Sequence, residues 1–151
     1  MASFEQLVRK REGARRKVYL DSLKKPTVGI GHLVKTEDKL KVGDVVTNKQ
    51  ISDFFKVDGA GALSAAKKQA SKAGIKDANF IACLGSVNFQ LGTGWIRKFR
   101  RAWAMILDGK YSDAAESLES TRWFKQTPIR VKDFQKALLR LPEKKSTDGA
   151  R

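Results

Sequence analysis

Glu12, Asp21 and Thr27 are the residues of this chain whose types and spacing could do chemistry. Two carboxylates stand nine positions apart, and a hydroxyl follows six positions later. They sit in the run Arg11-Glu12-Gly13, then Tyr19-Leu20-Asp21, then Thr27-Val28-Gly29-Ile30-Gly31-His32. Hydrolysing a glycosidic bond needs one carboxyl group to donate a proton to the leaving oxygen and a second group to direct a water. Taken singly, each residue has a plainer reading. A Glu is usually an exposed solubilising residue, an Asp often bonds the backbone of its own turn, and a Thr is at home in a strand.

The elements that must position this trio can be read from the same segment. Ser3 and Gln6 form a capping-box pattern, and Phe4, Leu7 and Val8 follow at helical spacing. Gly13 is a suitable residue to end that helix. Glu12 is therefore expected at a helix C-terminus, where the partial negative charge disfavours an ionised carboxylate. That suits a proton donor. Residues 17–35 read as a β-hairpin, with Val18-Tyr19-Leu20 and Thr27 to Leu33 as its arms and a polar turn containing Pro26 between them. Gly29 and Gly31 within a strand predict a bulge or a close backbone approach, of use to a substrate passing along a sheet face. Residues 41–46 are expected to add a short third strand.

A second capping box, Thr47 to Gln50, opens a helix expected to run to about Ala73, despite Gly59 and Gly61. Gly74 closes it. The second half reads as helical, with candidates at 78–91, 95–107, 112–119 and 130–140, and Pro142 ends the last. The expected organisation is one domain over 1–151. It comprises a first helix (1–12), a β lobe (13–46), a connecting helix (47–73), a helical lobe (74–141) and a polar, flexible tail (142–151).

Three motifs in order carry a family resemblance. The Glu12 to His32 segment resembles the active-site hairpin of the phage-type, T-even-like lysozymes, glycoside hydrolase family 24. Asn88-Phe89-Gln90-Leu91-Gly92-Thr93-Gly94 resembles that family's mid-chain helix end. Thr121-Arg122-Trp123-Phe124-Lys125-Gln126-Thr127-Pro128-Ile129-Arg130 resembles its C-terminal signature. The resemblance covers about 120 residues and does not extend beyond about Leu141.

What the resemblance implies is specific. The fold would be α+β and lysozyme-like, with a small N-terminal β lobe, a larger helical lobe, a long helix joining them and a cleft between. The activity would be that of an endolysin muramidase. Such an enzyme hydrolyses the β-1,4 bond between N-acetylmuramic acid and N-acetylglucosamine of peptidoglycan by inverting single displacement. Glu12 would be the general acid, and Asp21 and Thr27 would position the attacking water. Leu33 backbone groups, Phe89, Gln90 and Thr127 would meet the saccharide. Arg130 would pair with Glu12 to orient it. The plainer reading of Arg130 is a solvated surface cation, and of Phe89 a core aromatic. Thr127 with Pro128 also reads as a helix N-cap. Asn88 could face the cleft or cap the local turn.

Other residues read as structural. His32 is the only histidine, with Asp58 on the connecting helix as a candidate partner. One His and one Cys 51 positions apart make no zinc site, and no motif calls for a metal or cofactor. Trp103 and Trp123 are expected to anchor the helical core, and Cys83 reads as a small buried hydrophobe.

Bulk properties bound the alternatives. The chain carries 31 Lys and Arg against 16 Asp and Glu, a formal +15, with a pI near 10.2 and a mean hydropathy of −0.43. Such a charge favours anionic partners. The densest basic run, Arg97-Lys98-Phe99-Arg100-Arg101, is a candidate for adhesion to acidic wall or anionic lipid. A nucleic-acid-binding protein would share the charge, but neither zinc-finger spacing nor an RNA-recognition aromatic signature occurs. A lytic transglycosylase, which can work with a single Glu, is the nearer enzymatic rival, and Asp21 and Thr27 argue for hydrolysis. A monomer is expected. One cysteine excludes an internal disulfide, no apolar run approaches a bilayer span, and no secretory signal is read at the start. The expectation is synthesis in a host cytoplasm and access to the wall through a holin-type membrane lesion.

Overall fold

A computed structural model describes residues 3–143; the tail expected beyond 143 lies outside the described residues. The order of elements is α1 (Phe4–Glu12), β1 (Arg15–Leu20), β2 (Pro26–Gly29), β3 (His32–Leu33), α2 (Asn48–Lys72), α3 (Ala78–Leu91), α4 (Trp95–Lys98), α5 (Arg100–Leu107), α6 (Tyr111–Ser117), α7 (Arg122–Gln126) and α8 (Pro128–Arg140). Short 3-10 turns occur at Thr36–Asp38 and Leu118–Ser120. This is the α+β, lysozyme-like composition: a three-stranded antiparallel sheet near the N-terminus, then helices. The chain divides into two compact units between Gly61 and Ala62, inside α2.

In the first unit, α1 starts as its capping box dictates. The Gln6 N–H donates to Ser3 Oγ and the Ser3 N–H to Gln6 Oε1. Gly13 ends the helix at φ 79°, and its N–H donates to the Arg9 carbonyl. The sheet order is β1-β2-β3, with Tyr19 opposite Thr27, Leu20 opposite Pro26 and Thr27 opposite Leu33. Val8, Val18, Val28, Ile30, Val46 and Ile51 form its buried core.

Three local expectations are corrected here. The arm from Thr27 to Leu33 is two strands, because Gly29 and Gly31 both take positive φ (66° and 70°) and turn the chain at Ile30. The bulge lies in β1, between Arg15 and Tyr19. The close approach at Gly29 is to core, since a Cβ there would lie 3.3 Å from Ile51 Cγ2, whereas Gly31 is exposed with open space around it. Segment 41–46 is not a strand. It makes one antiparallel bridge, Lys17 to Val45, and folds into a turn in which the Asp44 N–H donates to the Lys41 carbonyl.

The α2 capping box is formed, with the Gln50 N–H on Thr47 Oγ1 at 3.1 Å and the Thr47 N–H on Gln50 Oε1 at 2.8 Å. Gly59 in this helix has a packing reason. A Cβ there would come within 3.0 Å of Phe4 Cε2 and Phe55 Cζ.

In the second unit, α3 and α8 pack through Phe80 and Phe134, whose ring centroids are 5.7 Å apart. Trp95 meets Phe134 edge-on at 5.6 Å, and Trp103 meets Trp95 in the same way at 5.8 Å. The expected anchors are thus reordered. Trp95 and Trp123 are buried, whereas Trp103 is half-buried at the cluster's margin. The single helix expected over 95–107 breaks at Phe99 (φ −108°, ψ 57°) into α4 and α5. The helix α7, capped by Thr121 Oγ1, was not expected, because five residues are too few to show a period.

Candidate active site

Glu12 is the last residue of α1 and is exposed. Gly13 and Ala14 join it directly to β1, so the helix end and the sheet are coupled by the shortest of links. Asp21 follows the last residue of β1 and is half-buried. Its Oδ1 accepts two backbone N–H groups, from Leu23 at 2.8 Å and Lys25 at 2.9 Å. The Asp21 backbone also joins the turn, its N–H donating to the Lys25 carbonyl and its carbonyl accepting from Lys24. The carboxylate is therefore held in one orientation by the loop it closes. Oδ1 is committed to that loop, and Oδ2 is left to meet a ligand.

Thr27, on β2, is buried at 4% exposure. Its hydroxyl donates to the Lys25 carbonyl at 3.0 Å. With the proton spent there, the Thr27 oxygen presents lone pairs and can accept from a water. Lys25 thus links the two groups, its N–H on Asp21 and its carbonyl on Thr27. Leu33 lies across the sheet from Thr27 and is half exposed.

His32 is buried between two carboxylates. Nδ1 is 2.7 Å from Asp58 Oδ2 and Nε2 is 2.8 Å from Asp38 Oδ2. The ring stacks on Phe54 at 4.0 Å and 7°. Both nitrogens can donate at once only from an imidazolium. Asp38 was missed in the sequence because it reaches His32 only through the 3-10 turn of Thr36–Asp38. Burial pushes the Asp38 carboxyl up, but the Lys35 N–H, at 2.8 Å, and the His32 ring outweigh it and hold the group below its ordinary value.

The second unit places the remaining candidates on α3, α7 and α8. Gln90 is half-buried with both ends of its amide engaged: it donates to Thr127 Oγ1 at 3.1 Å and accepts from Trp123 Nε1 at 3.0 Å. Thr127 occupies the N-cap position of α8 but makes no side-chain cap bond, a correction to the cap reading. Its hydroxyl is drawn instead to Gln90 and to the Trp123 carbonyl. Phe89 is half-buried. Arg130 is not a freely solvated cation, since its Nη2 donates to Ser86 Oγ at 2.9 Å and to the Ser86 carbonyl at 3.2 Å.

Asn88 neither faces solvent nor caps a turn. It is buried, donating to the Ala62 carbonyl and Gln69 Oε1 and accepting from Trp95 Nε1. Cys83 is buried, and burial, then the nearby Asp133 charge, pushes its thiol up to about 11. That is an inert thiol, not a nucleophile. Among the described residues no cluster of His, Cys, Asp or Glu could hold a metal, and no helix is long and apolar enough to cross a membrane.

Known proteins resemble this chain along most of its length. The chain is 25% identical over 152 aligned positions to a protein named probable T4-type lysozyme 2 of Dictyostelium discoideum, covering 86% of this chain and 89% of that one. It is 29% identical over 112 positions to the peptidoglycan hydrolase gp36 of Pseudomonas phage phiKMV, covering 74% of this chain but 12% of that protein. It is also 27% identical to the pre-baseplate central spike protein Gp5 of Enterobacteria phage T4, covering 85% of this chain and 26% of the other. The Phage lysozyme family matches residues 9–139, from the last turn of α1 into the last turn of α8, and this chain belongs to it.

Proposed function

We propose that this protein is an endolysin muramidase. It hydrolyses the β-1,4 bond between N-acetylmuramic acid and N-acetylglucosamine in peptidoglycan, by single displacement with inversion. Family membership supports the class of enzyme. The observation that carries the mechanism is the Asp21–Lys25–Thr27 loop. Two N–H groups fix Asp21 through Oδ1, and Thr27 is turned to accept. A water lying between Asp21 Oδ2 and Thr27 Oγ1 would give one proton to each oxygen and aim its own lone pair at the sugar. Asp21 takes the proton as the water attacks, and Glu12 protonates the departing oxygen. No covalent intermediate forms, so the product emerges with inverted configuration.

The family resemblance supplies the remaining roles. Leu33 contributes backbone groups to the saccharide and Phe89 contributes ring surface. Gln90 and Thr127, hydrogen-bonded to each other and to Trp123, meet the saccharide. Arg130 orients the acid Glu12, and His32 with Asp58 holds the hairpin. The enzyme reaches the wall through a membrane lesion made by a holin-type protein, and acts as a monomer. The exposed cations of 97–101 aid adhesion to acidic wall. A kinetic assay on intact wall that showed no salt dependence would remove that last role.

The test is digestion of purified peptidoglycan by wild type and Glu12→Gln, read by mass spectrometry. Products heavier by one water per cut, with reducing muramic ends, and silence from the variant are expected. Anhydromuramic ends without that gain would make the enzyme a lytic transglycosylase. NMR of the first-formed product would show the α anomer; a β product would sink the inverting mechanism.

A further inference from the structure

The sheet's outer edge carries an unused feature. Leu20 (51% exposed) ends β1, Leu23 (72%) stands in the hairpin turn, and Val42 (51%) and Val45 (63%) lie in segment 41–46. That segment runs beside β1, with the Gly43 N–H on the Val18 carbonyl, the Val18 N–H on Asp44 and Val45 opposite Lys17. Four large aliphatic side chains thus share one hairpin and the turn beside it. Exposed aliphatics gathered in this way mark an interaction surface more often than chance exposure does.

Cations frame them. Lys17, Lys24, Lys25, Lys39 and Lys41 are all exposed, and none of the five makes an ion pair among the described residues. Two carboxylates of the same loops bond backbone: Asp21 accepts through Oδ1 from Leu23 and Lys25, and Asp44 Oδ2 accepts from the Lys41 N–H at 2.9 Å, while Glu37 is exposed. The hairpin and segment 41–46 therefore expose four large aliphatics together with five lysines, an excess of cations over the carboxylates Asp21, Glu37 and Asp44 of the same stretch.

We propose that this hairpin edge binds anionic phospholipid bilayers at their interface. The combination selects the partner. A nucleic acid or an acidic wall polymer would satisfy the lysines but offers the leucines and valines no apolar phase. An anionic bilayer offers both, with headgroup phosphate for the ammonium groups and an acyl boundary a few ångströms deeper for the aliphatics. The long lysine stems can follow the aliphatics inward while their charges stay at the headgroups. The surface does not depend on the muramidase reading, and its binding is measured without any cleavage.

The experiment is co-sedimentation of the full chain with phosphatidylcholine vesicles, with and without phosphatidylglycerol. Wild type is expected to bind only the vesicles containing phosphatidylglycerol. Leu23→Ser with Val42→Ser keeps the net charge and exposes no core, and is expected to bind about tenfold more weakly. Lys17→Ser with Lys41→Ser is expected to weaken binding more than Arg100→Ser with Arg101→Ser, which removes the same charge from the helical unit. Melting curves confirm that each variant is folded. An apolar variant that binds as tightly as wild type would reduce the surface to charge alone and overturn the proposal. Equal losses from the two charge variants, or no binding by wild type, would overturn it as well.

Discussion

Replacing Asn88 by Leu should cost this protein more stability than any surface change, although Asn88 touches no candidate catalytic group. Its amide joins three elements: α2 through the Ala62 carbonyl (3.0 Å) and Gln69 Oε1 (2.9 Å), α3 where it resides, and α4 through Trp95 Nε1 (2.9 Å). The residue is 3% exposed and Trp95 is 1% exposed, so water cannot replace the lost partner. Leu fills a similar volume, and the loss is therefore mostly the desolvation of the groups left behind. The Trp95 N–H and Gln69 Oε1 each cost ~1–3 kcal/mol when orphaned. The Ala62 carbonyl has a second lone pair and counts least. The expected loss is about 3–4 kcal/mol, and at roughly 2–4 °C per kcal/mol for a chain of this size the melting temperature falls by about 6–16 °C. Calorimetry and urea unfolding, with an unchanged m-value, measure it. Trp95→Phe completes a double-mutant cycle, and the two changes should couple by at least ~1 kcal/mol. A loss under ~1 kcal/mol for Asn88→Leu, or a coupling near zero, would show that the network is geometry without energetic consequence.

Other expectations are as direct. The folded Asp38 carboxyl lies below its ordinary value of 3.8, so its bonds to Lys35 and His32 add stability above that pH and lose it as pH falls through the folded value. Asp38→Asn should therefore destabilise at neutral pH, with the gap to wild type closing as pH drops below about 4; parallel melting curves at every pH would contradict this. Gly59→Ala, a change that usually strengthens a helix by ~1 kcal/mol, should instead destabilise or gain nothing, because the added carbon meets the Phe4 and Phe55 rings at 3.0 Å; a clear gain in melting temperature would refute the packing argument. Arg130→Ala should slow wall hydrolysis, and a loss under about threefold, or ~0.7 kcal/mol of barrier, would remove Arg130 from the catalytic machinery.

Much of this protein is legible in its residues before any fold is drawn. The two capping boxes, the Gly13 helix stop and the long α2 rest on interactions between positions three or four apart, and such signals are local by nature. The Asp21 turn belongs with them, because a carboxylate that bonds the backbone two and four residues on is reading its own sequence. The family resemblance of Glu12, Asp21 and Thr27 is equally a matter of order along the chain. What the tertiary structure decided is of another kind. Asn88 could face a ligand or cap a turn until Trp95 and Gln69 were placed around it. Gly29 looked like access for a substrate until Ile51 packed against it, and Thr127 looked like a cap until Gln90 claimed its hydroxyl. Asp38 carried no signal at all, since a 3-10 turn had to swing it onto His32. In each case the partner comes from a distant part of the chain or through an irregular turn, and no periodicity records which of several polar groups a buried side chain will meet. Local hydrogen bonds are written in spacing, whereas the choice among competing partners is made only when packing excludes water from all but one.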